Sequence, residues 1–333
     1  MIALMILPLL IIAGVLAYLA TLPDSFEVRR SLDMNVDQAL VFAQVRDLRA
    51  WRDWSPWLLH EPDARLAYSD QPDEEGGYYG WDGQAIGAGQ ITQVRLTEPT
   101  RIDQQLRFTR PFKSTSKVWW EFAPAPDGGT RVTWCMTGRL PLLLRFMTRN
   151  MARMIEQDFE LGLALLRGTL DPQAERPQVR YQGITLHQAQ DALTIPYRGD
   201  LAGLITTMEG GFPRLHAHLT GLGATPTGPL FTAYHKVDPK TMQVQCDLAI
   251  PVPDGLAPGP FTRKRLGGGR YFATELQGSY AFLGPVWASA ITDLRMIRLR
   301  QDRSRPALEI YVTDASQVPD SNQLLTRILV AVR

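Results

Sequence analysis

The chain is poor in cysteine. Two occur in 333 residues, Cys135 and Cys246, far apart inside strand-like runs (VTWCM and VQCDLAI). That excludes a disulfide framework and a cysteine zinc site, and it leaves both thiols as small buried hydrophobes. The chain also lacks a surplus of either charge. Lys and Arg number 35 against 34 Asp and Glu, and no dense basic run exists, so nucleic acid is excluded as the main partner. Nucleotide motifs are missing as well. Gly267-Gly268-Gly269 has no Lys-Ser/Thr after it and reads as a hairpin turn, and the glycines at 83, 87 and 89 do not follow dinucleotide spacing. His216 and His218 stand two apart on a predicted helix, where their side chains diverge. No nucleophile, base and orienter can be assembled from spacing. No metal, no cofactor and no catalytic residue are therefore expected, and the balance leans away from an enzyme.

One long stretch lacks charge altogether. From Met1 to Pro23 (MIALMILPLLIIAGVLAYLATLP) there is no Asp, Glu, Lys or Arg. At 1.5 Å per residue this run is long enough for a hydrocarbon core of ~30 Å. A cleaved signal peptide is the rival reading, but no basic residue precedes the run, and a cut after Ala20 would place Tyr18 three positions before it. The expectation is a retained single-pass anchor over residues 1–23. With Arg29 and Arg30 just beyond it, the positive-inside tendency puts the remaining bulk on the cytoplasmic side of an inner, cytoplasmic membrane.

What remains is ordinary for a globular chain: 45% apolar and 21% charged residues, with length for two domains. After the anchor, FEVRRSLDM alternates like a strand and VDQALVFAQVRDLRAW takes a helical period, with Asp37 as its cap. Alternating runs GAGQITQVRL, RIDQQLRF, SKVWWEFAP and TRVTWCMTG follow, broken by turn chemistry, and residues 140–170 read as one long helix with a methionine stripe. The order is strand, helix, antiparallel strands and closing helix, an α+β layering. A polar, proline-containing linker follows at 171–179. Beyond it the chain repeats itself: Arg198-Gly199-Asp200-Leu201-Ala202-Gly203-Leu204 matches Gln277-Gly278-Ser279-Tyr280-Ala281-Phe282-Leu283 at an offset of 79. Each copy ends a strand, caps a helix with Asp200 or Ser279, and continues into two strands, which predicts two βαββ units and a groove between them.

Two stretches resemble known families. WRDWSPW (51–57), YYGWDGQAIGAGQ (78–90), RPFKS (110–114), GGTRVTWCMTG (128–138) and DFELGLALL (158–166) resemble the SRPBCC superfamily, in its polyketide-cyclase-like and START-like branch. The resemblance covers residues 25–171 and implies a helix-grip fold around a cavity. GPLFTAYHKV (228–237), LGGGRYFATELQGSY (266–280) and PALEIYVTD (306–314) resemble the GyrI-like effector-binding domain over residues 178–333. That resemblance implies a groove for amphipathic, often cationic aromatic molecules with an acidic residue at its base, though some relatives are hydrolases. In the regulators of that family the domain follows a helix-turn-helix, whereas here the SRPBCC-like stretch and the expected anchor occupy that place.

Candidate residues follow from both readings. Seven of the eight tryptophans lie in the first half. Trp54, Trp81, Trp134 and Met151 are either ordinary core or the lining of an apolar cavity. In the second half, Glu309 sits inside ALEIYV, where an unpaired buried carboxylate would be costly. Alternation places it on one face with Tyr311, while Tyr280, Leu283, Trp287 and Ile291 share a helical stripe. Glu309, Tyr311, Tyr280, Trp287 and Tyr234 form the expected ligand site. The plain alternative pairs Glu309 with an arginine such as Arg327. The function expected is a membrane-anchored small-molecule binding protein, a sensor, carrier or sequestering module for amphipathic ligands. A GyrI-like hydrolase using Glu309, or a carrier of lipids and apolar ligands through the first domain, are the alternatives.

Overall fold

In the computed structural model, residues 2–238 and 241–333 are described, without the side chains of residues 2–10. The chain divides into two units, Met1–Arg176 and Pro177–Arg333, and each is an antiparallel sheet with helices.

In the first unit the order is α1 (Ile2–Thr21), β1 (Ser25–Met34), α2 (Gln38–Arg46), α3 (Pro56–His60), β2 (Arg65–Tyr68), β3 (Tyr78–Asp82), β4 (Ala88–Thr97), β5 (Arg101–Arg110), β6 (Ser114–Pro124), β7 (Thr130–Arg139) and α4 (Thr148–Leu170). The seven strands form one sheet in the order β1-β7-β6-β5-β4-β3-β2. Asp37 caps α2, its carboxylate accepting the Ala39 N–H at 2.9 Å. Helix α4 buries Phe159, Leu161, Leu163, Leu165 and Leu166, and it packs on β1 and β7.

Two expectations are corrected here. The predicted helix over 140–170 begins at Thr148; Leu142–Met147 is a 3-10 turn instead. The turn is drawn onto the end of α1, where Arg145 Nη1 donates to the Ala20 carbonyl (3.3 Å) and Thr148 Oγ1 to that of Pro23 (2.9 Å). The membrane anchor over 1–23 is also overturned. Among the described residues no helix is long and apolar enough to cross a membrane. The side chains of residues 1–10, on which part of that expectation falls, lie outside what is described. The last turns of α1 are instead engaged with the first unit, with Leu19 buried. The inner-membrane, single-pass placement falls with the anchor.

The second unit runs β8 (Gln178–His187), β9 (Gln190–Asp200), α5 (Leu201–Gly221), β10 (Phe231–Val237), β11 (Gln243–Pro251), β12 (Thr262–Leu266), β13 (Gly269–Gln277), α6 (Leu283–Met296), β14 (Ala307–Tyr311) and β15 (Leu325–Ala331). Its eight strands lie in the order β12-β9-β11-β10-β14-β15-β13-β8. That order is a palindrome of two copies. Copy one is β8-β9-α5-β10-β11, copy two is β12-β13-α6-β14-β15, and each copy lends its first strand to the edge of the other. The offset of 79 carries the end of β8, His187, to the end of β12, Leu266, and it carries Asp200 to Ser279. Both caps are made: Asp200 accepts from the Gly203 N–H (2.8 Å) and Ser279 from that of Ala281 (3.3 Å).

The sheet must curl. Strands β12 and β13 stand first and seventh in the order, ~29 Å apart in a flat sheet at ~4.8 Å per step. Yet only Gly267 and Gly268 separate them, and three peptide units reach at most ~11 Å. Both glycines have positive φ, +78° and +92°, which a tight turn of this kind requires. The inside of the curl is a closed core with a high share of alanine: Ala192, Ala233, Ala249, Ala273 and Ala331, filled out by Phe231, Tyr271 and Ile310. The other face carries α5, packed on Leu193, Leu248 and Ile250.

Candidate functional site

Strand β14 lies beside β10 on one side and β15 on the other, so Glu309 faces Thr232 and Ile328 across the ladders. Alternation turns Leu308 and Ile310 into the curled core, and it turns Glu309 and Tyr311 to the helical face. There Glu309 is 3% exposed. Trp287 Nε1, from α6, donates to its Oε2 (2.5 Å), and Tyr311 Oη donates to its Oε1 (2.6 Å). Tyr234 contributes a third hydrogen bond.

The palindrome explains this convergence. Following equivalent strand pairings through both copies, Thr232 corresponds to Glu309 and Tyr234 to Tyr311, each 77 residues on. Glu309 therefore sits beside the pseudo-twofold axis, and the two tyrosines that bond it are each other's counterparts. The helices cross over in the same sense. Trp287 of copy two packs edge-on against Tyr234 of copy one, ring centroids 5.6 Å apart. Phe212 of copy one packs edge-on against Tyr311 of copy two, also at 5.6 Å. Tyr280 adds a further edge-on contact to Tyr311 at 5.7 Å.

Among the described residues no Lys, Arg or His pairs with Glu309, and Arg327, its expected alternative partner, pairs with Glu275 instead (2.8 Å). Burial raises the pKa of Glu309 above the ordinary carboxylate value, and the hydrogen bonds from Trp287, Tyr311 and Tyr234 only partly oppose it. Burial, then the neighbouring carboxylate, pushes the phenols of Tyr234 and Tyr311 well above their usual value, and the Tyr280 phenol rises to about 12. All five expected residues thus belong to one cluster. Sequence reasoning missed Phe212 and Thr232: the repeat's offset of 79 carries Glu309 back to Leu230, and only the strand pairings reveal Thr232 as its counterpart.

The candidates in the first unit are not brought together in the same way. Trp54 and Trp134 are core, each 1% exposed. Trp134 is sandwiched between Trp120 (4.2 Å) and Phe159 (4.0 Å), with Trp54 edge-on at 5.9 Å. Trp81 packs with Tyr79 and Phe108, over Gly89, where a Cβ would meet its ring at 2.5 Å. Met151 is half-buried in the first turn of α4. Beside the tryptophan stack lies a buried acid that sequence reasoning missed. Asp158 is 8% exposed, accepts from Trp57 Nε1 (3.2 Å), and is raised by burial to about 6 against the charge of His60. No local pattern marks it, because it reads as one more polar position on α4.

Residues 25–171 match the family model described as polyketide cyclase / dehydrase and lipid transport, which supports a small-molecule binding module in that part of the chain. No curated protein matches the chain in sequence. Several solved structures are similar to part of it. The C-terminal domain of EcmrR is 16% identical, with 47% of this chain and 98% of that one aligned at a TM-score of 0.40. Protein MLL2253 from Mesorhizobium loti is 12% identical over 44% of this chain and 98% of its own, with a TM-score of 0.35. SAV2435, solved bound to tetraphenylphosphonium, is 12% identical over 46% and 94%, with a TM-score of 0.36.

Proposed function

We propose that the protein is a binding module for amphipathic small molecules, and that its second unit takes cationic aromatic ligands against Glu309, as the GyrI-like resemblance of residues 178–333 implies. The observation that carries this reading is the environment of the carboxylate: buried, unpaired with any cation among the described residues, and walled by Tyr234, Trp287, Tyr311 and Tyr280. A delocalised cation entering that wall gains a desolvated counter-charge and aromatic faces together, while a neutral isostere gains only the faces. Trp287 lies directly on the carboxylate, so the ligand enters by displacing it, and α6 is the element that yields. Sensing, carrying and sequestering would all use this one contact.

Titration of the full chain with one cationic aromatic dye and a neutral dye of the same shape tests the reading. Glu309→Gln keeps the shape and should weaken the cationic dye alone, by ~1.5–3 kcal/mol or roughly ten- to a hundredfold. Equal weakening of both dyes, or of neither, removes Glu309 from the site. A second reading has its own support in the raised pKa of Glu309: a buried carboxyl that holds its proton more tightly than usual, beside a phenol, can serve as a general acid and base in a hydrolase. Turnover of an activated ester, abolished by Glu309→Gln with dye binding retained, would favour it.

A further inference from the structure

On the face of the second sheet turned away from α5 lies a cavity of about 200 Å³, lined by Arg198, His235, Gln245, Asp247 and Lys264 among others. Alternation along β11 puts Asp247 on the side of Ala249 and the curled core, opposite Leu248 and the helix. Asp247 is 1% exposed. Lys264 Nζ reaches across from β12 to donate to both of its oxygens (2.7 and 2.8 Å), and His235 Nε2 lies 2.6 Å from Oδ2. Alternation along β10 turns His235 to this face and Tyr234 to the Glu309 face. The bulge between Tyr234 and Lys236 then sets both His235 and Lys236 against Gln245.

The charges at the mouth are uneven. Lys264 already compensates Asp247, yet Arg198 stands exposed beside the pair and forms no ion pair or side-chain hydrogen bond among the described residues. Gln245 lies directly opposite Arg198 on β9, and Lys236 lies opposite Gln245 on β10. Among the described residues, one row across three strands thus presents an unpaired cation, an amide and a second unpaired cation above a neutralised pair. A cationic ligand finds no free counter-charge here, since the lone pairs of Asp247 are already engaged by three contacts. A drug-sized apolar ligand finds no room, because such sites run from ~300 Å³ upward. The volume suits a small group with its waters, about seven water volumes at ~30 Å³ each.

We infer that this cavity binds a small oxyanion of phosphate size, with Arg198 as the principal charged contact, Gln245 as a neutral donor, and the Asp247–Lys264 pair as the rigid floor. Titration of the full chain with inorganic phosphate at constant ionic strength, against chloride, tests it by amide NMR at His235 and Gln245 and by thermal shift. The expected result is a saturable response to phosphate with a rise in melting temperature. Arg198→Gln should unfold at the wild-type temperature without ligand, since that guanidinium supports no contact in the fold, and should weaken phosphate roughly ten- to a hundredfold. A response that chloride reproduces, no saturation by tens of millimolar phosphate, or unchanged affinity in Arg198→Gln would overturn the site.

Discussion

Glu309 and Asp247 are two carboxylates buried in one sheet, 3% and 1% exposed, on opposite faces. Burial is the largest influence on both and drives both upward. They nevertheless end on opposite sides of the ordinary value. Asp247 is lowered, because His235 and Lys264 give it hydrogen bonds and positive charge together. Glu309 stays raised, because its partners are an indole and two phenols, which donate without carrying charge. The lesson is that a hydrogen bond alone does not settle a buried acid. A partner that is itself charged does. The two acids therefore bias stability in opposite directions with pH. Asp247 contributes stability above its unfolded value near 3.8, lost as pH falls through its lowered folded value. Glu309 leaves the fold unburdened below its unfolded value near 4.5 and costs stability as pH rises toward and through its raised one.

The largest effect should come from removing the charge that separates the two. Lys264→Met keeps the length of the stem and deletes the ammonium, leaving Asp247 a buried carboxylate without its cation. Breaking a buried pair from one side costs about 3–5 kcal/mol. Lys264 has 36% of its side chain exposed, and water there softens the loss, so the expected value is about 3 kcal/mol by urea denaturation at pH 7. Adding Asp247→Asn should recover most of it. The deficit should shrink on acidification, because Asp247 without its ammonium takes up a proton more readily than in the wild type. A deficit that neither the second substitution nor acid reduces would mean that the lysine stem, not its charge, holds β12 to β9.

Asp158 extends the comparison to the first unit. It is raised to about 6 by burial, so its sign follows Glu309: the fold is unburdened below pH 3.8 and carries the cost of the ionised form as pH rises through 6. A two-unit shift corresponds to about 3 kcal/mol at most. Asp158→Asn keeps an acceptor for Trp57 and should stabilise the protein by roughly 2 kcal/mol at pH 8 and hardly at all at pH 4. Calorimetry at both values checks it. Glu309→Gln should behave in the same way but more weakly, about 1 kcal/mol at pH 8, since three donors must adapt to an amide that brings its own N–H groups. Destabilisation by Glu309→Gln at pH 8 would place that residue with Asp247 instead.

Much of this was legible in sequence wherever the signal is local or repeats. The α+β character follows from alternating and helical periods, and the two caps, Asp200 and Ser279, betray the duplication. Alternation alone puts Glu309 and Tyr311 on one face. What escaped lies between elements distant in the chain. Nothing in HKV, CDL or TRKRL announces that His235, Asp247 and Lys264 meet, because three strands and a bulge bring them together. The exchange of β8 and β12 between copies escaped for the same reason, since the repeated segment starts at the ends of β9 and β13 and says nothing of the strands before them. The first-unit tryptophans mislead differently: composition marks them as a group, but Trp81 packs with Tyr79 and Phe108 while Trp54 and Trp134 fill the core. The run before Pro23 shows the limit of hydropathy, which measures apolar length and not what the end of a helix is bound to.

The smallest expected effect tests the pseudo-twofold itself. Thr232 is the counterpart of Glu309 and its direct neighbour across the ladder, fully buried, with its hydroxyl 3.0 Å from Tyr311 Oη. Tyr311 has one proton and gives it to Glu309, so the threonine must be the donor in the second bond. It polarises the phenol and strengthens the bond that reaches the carboxylate. Thr232→Val conserves shape and β-branching and removes only that hydroxyl. The loss should be about 0.5–1.5 kcal/mol. It should be larger at pH 8 than at pH 4, because a phenol without its donor is a poorer partner for an ionised carboxylate than for a neutral one. The carbon resonance of the Glu309 carboxyl should titrate at higher pH in Thr232→Val than in wild type. A loss independent of pH, with an unmoved titration, would reduce Thr232 to packing and leave Glu309 held by its three direct donors alone.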